Sequence, residues 1–172
     1  MKNKLSRILC TALCCAPLLA TAQTSEKITS PQRLYQEGQS LFQQKAYAAA
    51  IPPLQAFIRQ TDAEGKPLPA AGERMEAEYM LVCAAYELKD GKSIDKLQSY
   101  LDEYPDTPYA NRIYALMASV YFFEENYDAA MAMFNATRLD LLGNEERDDM
   151  TYRLATCYLK TGNVKEAAIW FE

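Results

Sequence analysis

The feature that most limits what this chain can fold into is the spacing of Tyr114, Met117, Ala118 and Tyr121, followed by Tyr127, Ala130, Met131 and Phe134. Steps of three and four put the first set on one face of a helix and the second set on one face of the next. Ala118 and Ala130 are small where the two helices have to approach closely. A hairpin of this kind cannot bury its apolar surface alone and needs further hairpins stacked on it. Such stacks curve and offer a long groove, which points to binding rather than chemistry.

Similar stripes recur along the chain. The first hairpin is expected over residues 31–62, with Leu34, Gly38 and Leu41 on one helix and Tyr47, Ala50, Leu54 and Phe57 on the other. Pro52-Pro53 falls about one turn into that second helix and is expected to kink it or delay its start. Residues 61–72 carry two Pro and two Gly and read as a loop, long for a helix–helix connection. The second hairpin is expected over 73–104, with Tyr79, Val82, Cys83 and Tyr86, then Ile94, Leu97, Leu101 and Tyr104. Thr107 followed by Pro108 suits the start of the next helix, so the third hairpin spans 108–142, and Gly143-Asn144 supplies a stop and turn. Tyr109 lies outside the stripe and is expected to matter little. A fourth, incomplete hairpin is expected over 145–172, with Leu154, Ala155 and Tyr158, then Ala167 and Phe171. Period-two alternation is missing throughout, so the chain is expected to be all-α.

The pattern large-x-x-Leu-small-x-x-Tyr on one helix and Ala-x-x-x-Phe on the next, carried here by Tyr114 to Phe134, resembles the tetratricopeptide repeat (TPR) family. Glu37 departs from it where Leu is usual, and the second helix of the second hairpin starts about two residues early. The resemblance implies a right-handed superhelix of about four antiparallel helix pairs and a groove lined by the first helix of each pair. Carried over by position, the candidate groove residues are Tyr35, Gln39 and Phe42, then Met80 and Glu87, then Arg112, Ser119 and Phe122, then Tyr152, Thr156 and Lys160. The Lys, Arg and Asn clamp with which some TPR co-chaperones grip a C-terminal carboxylate is not formed, because Tyr35 and Gln39 occupy those places. An extended or helical segment with apolar anchors is the ligand this face suits. The LDEYPDTPYA stretch and the Tyr-rich helix after it also resemble TPR-containing envelope proteins of Gram-negative bacteria.

Lys2, Lys4 and Arg7 precede an apolar run from Ile8 to Ala20, and Ala20-Thr21-Ala22 stands before Gln23. This is the layout of a cleaved secretory signal over residues 1–22, followed by a polar, disordered leader over 23–30. The run is too short for a spanning helix, so no transmembrane segment is expected after cleavage. Neither Cys14 nor Cys15 has the preceding residues of a lipid-attachment site. Losing three of the 18 basic residues leaves 15 against 23 acidic ones, a net charge of −8 where the whole chain has −5, which excludes nucleic acid as an expected partner. Cys83 and Cys157 are expected to be buried small hydrophobes.

The chain has no histidine, which removes the commonest general base and most zinc sites, and two mature cysteines cannot make an all-cysteine one. Its glycines are scattered singly, so no phosphate loop forms. Acidic pairs such as Asp102-Glu103 and Glu145-Glu146 point about 100° apart on a helix and read as solvated surface charge. No enzyme, cofactor or metal is expected. The leading expectation is a protein-binding adaptor or scaffold, exported to the periplasm or associated with the outer membrane. Two alternatives are the N-terminal superhelical region of a longer peptidoglycan-cleaving enzyme and a piece of a glycan-binding outer-membrane component. The last helix, from Val164 to Glu172, is short and carries Ala167, Ala168, Trp170 and Phe171 without a polar capping helix. The chain is therefore expected to be the N-terminal part of a longer protein, and its Trp170/Phe171 face to allow self-association.

Overall fold

The structure is a computed structural model that describes residues 30–171. The expected signal peptide and all of the leader before Ser30 lie outside the described residues. Eight α-helices follow one another: α1 (Pro31–Gln43), α2 (Tyr47–Ile58), α3 (Ala71–Glu87), α4 (Ser93–Glu103), α5 (Ala110–Phe123), α6 (Tyr127–Ala136), α7 (Asn144–Lys160) and α8 (Val164–Phe171), with a 3-10 turn at Leu139–Leu141 before α7. No strand is present among the described residues beyond an isolated bridge between Thr61 and Pro67.

The helices pair as four hairpins. Ser30 caps α1 by accepting from the Arg33 N–H, and Pro31 takes the first helical place, where no partner for its nitrogen is needed. All four hairpins turn alike. Lys45, Lys89, Glu125 and Gly162 each have positive φ, and the N–H of the following residue reaches back to the carbonyl of Leu41, Ala85, Tyr121 and Tyr158 respectively. This is the six-to-one closure of a left-handed helix cap. Only the fourth uses glycine, so the other three turns leave no glycine signal in the sequence.

Each of the first three hairpins is closed by the first helix of the next. Tyr35, Ala50, Leu54, Phe57, Ala77 and Met80 form one buried cluster across α1, α2 and α3. Equivalent clusters span α3, α4 and α5 around Leu97, Ile113 and Met117, and α5, α6 and α7 around Phe134, Leu142 and Leu154. α1 touches α3, α3 touches α5 and α5 touches α7, while no comparable contact joins α2 to α4, α4 to α6 or α6 to α8. The first helices therefore make the tighter row. On α8, Ala167 is buried and Trp170 packs against the third cluster, whereas Phe171 is 49% exposed. Phe134 at the same place in α6 is only 1% exposed because α7 covers it. Trp170 and Phe171 thus face different surroundings rather than sharing one face.

Several boundaries differ from expectation. Pro52-Pro53 does not delay α2, which starts at Tyr47. The carbonyls of Ala48 and Ala49, which lose their partners to the two prolines, belong to exposed residues that water can satisfy, while Ala50, Leu54 and Phe57 hold the opposite face. The loop after α2 is hydrogen-bonded: the Asp62 carboxylate accepts from the Glu64 and Lys66 N–H groups, the Leu68 N–H bonds Gln60, and α3 begins at Ala71. Thr107 spends its hydroxyl on Tyr100 (3.0 Å) and the Tyr109 N–H, and α5 begins at Ala110. Gly143 is the N-cap of α7 rather than the stop of α6, which ends at Ala136.

Candidate functional site

The first-helix row carries cross-helix pairs from one end to the other. Gln39 on α1 donates to Glu76 on α3 at 3.3 Å, and the same carboxylate neighbours the Tyr35 hydroxyl. Tyr79 on α3 stacks on Tyr109 at the start of α5, with centroids 4.0 Å apart and planes at 10°. Arg112 on α5 pairs with Glu146 on α7. Arg153 on α7 pairs with Asp149 one turn earlier and lays its guanidinium over Phe123 and Phe122, 4.7 and 5.9 Å from the ring centroids. Aromatic surface edged by such pairs suits recognition of a polypeptide, where aromatic and Arg side chains carry most of the binding energy.

The positions carried over by family resemblance divide into two groups. Tyr35, Met80 and Ser119 are 7%, 3% and 0% exposed and cannot line an open groove. Tyr35 packs on Phe57 at 5.0 Å and Met80 belongs to the same cluster; Ser119 donates to the Ala115 carbonyl and lies against Met150 of α7. All three are taken up by seams between neighbouring helices. Gln39, Phe42, Arg112, Phe122 and Thr156 are half-buried, and Glu87, Tyr152 and Lys160 are exposed. Phe42 packs edge-on against Tyr47, and Tyr152 meets Phe171 of α8 edge-on at 5.8 Å. Tyr152 and Thr156 occupy the places that Ala115 and Ser119 hold one repeat earlier, and among the described residues no further first helix packs on them as α7 packs on those two.

Glu76, Tyr79, Tyr109, Glu146 and Arg153 also stand in the row, and sequence spacing did not select them for it. Tyr79 was legible only as a core position, Glu146 as half of a surface pair, and Tyr109 as lying off the stripe. Each acquires its place from a partner on a different helix.

Burial, followed by the neighbouring Glu76 carboxylate, pushes the Tyr35 hydroxyl well above its usual range, and burial does the same for Tyr79. Burial also pushes the Cys83 and Cys157 thiols up to about 11. Both cysteines are unpaired and buried, as inert small hydrophobes are.

A chain of helix hairpins, the first three each closed by the first helix of the next, has the build of a helical-repeat protein. A tetratricopeptide repeat is found at residues 112–136, spanning most of α5 and all of α6. No curated protein matches the chain. No helix among the described residues is long and apolar enough to cross a membrane.

Proposed function

We propose that the protein is a non-enzymatic adaptor of the cell envelope, exported by cleavage after Ala22, whose right-handed helical repeat binds a partner polypeptide along the first-helix row. The observation that carries this reading is the set of half-buried aromatic side chains on the first-helix row, Phe42, Tyr79, Tyr109 and Phe122, with Tyr79 stacked on Tyr109, accompanied by the Gln39–Glu76 and Arg112–Glu146 pairs. The tetratricopeptide repeat at residues 112–136 supports a protein partner, since repeats of this kind stack to present extended recognition surfaces. The envelope assignment rests on the signal-like layout of residues 1–22.

A photoreactive phenylalanine placed at Phe42 or Phe122 in living cells tests the binding face. It should crosslink one discrete partner, while the same group at Ser99 or Asp102, exposed on α4, should not. Equal crosslinking from both faces would overturn the reading. N-terminal sequencing of the exported protein should begin at Gln23, and a lipid-modified start at Cys14 or Cys15 would overturn the soluble form.

A further inference from the structure

At the turn edge of the second and third hairpins lies a cleft of about 450 Å³, between the end of α3 with its turn and the end of α5. Tyr86, Val120 and Phe123 supply its apolar wall. Phe123 is 66% exposed, although Arg153 lies over its ring. A large aromatic side chain left this open beside a concavity is available to a partner.

The charges around the cleft set the partner's sign. Glu87, Asp90 and Glu124 line it against a single cation, Lys89. Asp90 is already engaged, pairing with Lys96 at 2.7 Å and accepting from the Lys92 N–H. Glu87 and Glu124 form no ion pair among the described residues. Glu87 is the last residue of α3 and Glu124 is the C-cap of α5, and neither helix has a basic residue in its last turn. A helix C-terminus carries partial negative charge, so acidic residues there are unfavourable and a cation is favoured. Two helix C-termini and two carboxylates without an ion-pair partner among the described residues therefore line one cleft with an apolar wall, where a cationic group is favoured.

We propose that this cleft docks a basic–apolar segment of a partner protein, an Arg or Lys side chain beside an aliphatic one, as a second recognition surface at the turn edge of the first-helix row, with Glu87 and Phe123 shared by both. The cation meets Glu87 and Glu124, and the aliphatic neighbour lies on Phe123 and Val120.

The test is an amide-resolved NMR titration of the protein with Ac-Leu-Arg-Leu-Arg-amide, compared with the Gln-for-Arg and Glu-for-Arg peptides. The Arg peptide should give saturable shifts confined to Tyr86–Gly91 and Val120–Glu124, with affinity about fivefold or more above that of the Gln peptide. That preference should shrink as salt rises to about 0.3 M, because rim charges are screened. Phe123→Ala should weaken binding by a similar factor, and Glu87→Gln with Glu124→Gln together should do so without lowering the melting temperature. Lys89→Gln should tighten it. Equal affinity for the Arg and Gln peptides, or the absence of saturable shifts, would overturn the proposal. Shifts gathered instead at Gln39, Tyr79 and Arg112 would overturn it too, while supporting the first-helix row as the binding face.

Discussion

Lys45, Lys89 and Glu125 hold the left-handed conformation that Gly162 holds in the fourth turn. An L side chain there costs on the order of 1–2 kcal/mol, partly offset by the greater freedom glycine has in the unfolded chain. Each of Lys45→Gly, Lys89→Gly and Glu125→Gly should therefore stabilise the protein by about 0.5–1 kcal/mol, measured by urea denaturation. Gly38 behaves in the opposite way. A Cβ built on it would lie 2.6 Å from Cγ and Cδ2 of Leu54, itself fully buried. Gly38→Ala should destabilise by about 1–3 kcal/mol, as overpacking does. Gly72→Ala, also in a helix but facing open space, should stabilise by about 0.5 kcal/mol. If the two alanine substitutions have the same sign in matched melts, the close approach of α1 and α2 at Gly38 is wrong.

At the scale of the element, the third hairpin depends on two small residues and one outside partner. Ala118 and Ala130 are both fully buried in the cluster between α5, α6 and α7. Ala118→Leu or Ala130→Leu should each destabilise by about 1–3 kcal/mol, because the added volume has nowhere to go. Tyr109 precedes α5 and is no part of its apolar stripe, yet its ring stacks on Tyr79 of α3. Tyr109→Ala should therefore cost about 0.5–1.5 kcal/mol beyond the area lost, and Tyr109→Phe much less. A double-mutant cycle with Tyr79→Ala measures that coupling directly, and additive losses would mean the stack carries no energy.

For the whole molecule, buried hydroxyls and thiols set the response to alkali. Cys83 and Cys157 titrate near 11 in the folded chain against an ordinary value of 9.0, and the hydroxyls of Tyr35, Tyr79 and Tyr104 are raised above 10.0. These groups fold in their neutral form, so their contribution is complete below the unfolded values and is lost as pH rises through the folded ones. The denaturation midpoint should accordingly hold steady from neutral pH to about 9 and decline above it, first through the thiols and then through the tyrosines. A midpoint unchanged up to pH about 11 would contradict that burial.

The local part of the fold is legible from residue spacing alone. Steps of three and four from Tyr114 to Phe134 define two helix faces and the small residues between them, and a hairpin is built from contacts close in the chain, so its pattern is written where it forms. The same reasoning placed Leu54, Leu97 and Leu154 in the core. Which residues face outward along the first-helix row is not legible there, because it depends on how each hairpin is set against the next. Tyr35, Met80 and Ser119 look like groove positions on a single helix and become core when a neighbour lies over them. Tyr109, Glu146 and Arg153 carry no stripe signal and enter the row because a ring or a charge from another helix meets them. The turns at Lys45, Lys89 and Glu125 were hidden for a related reason: closing bonds to Leu41, Ala85 and Tyr121 hold a backbone conformation that glycine alone would have announced.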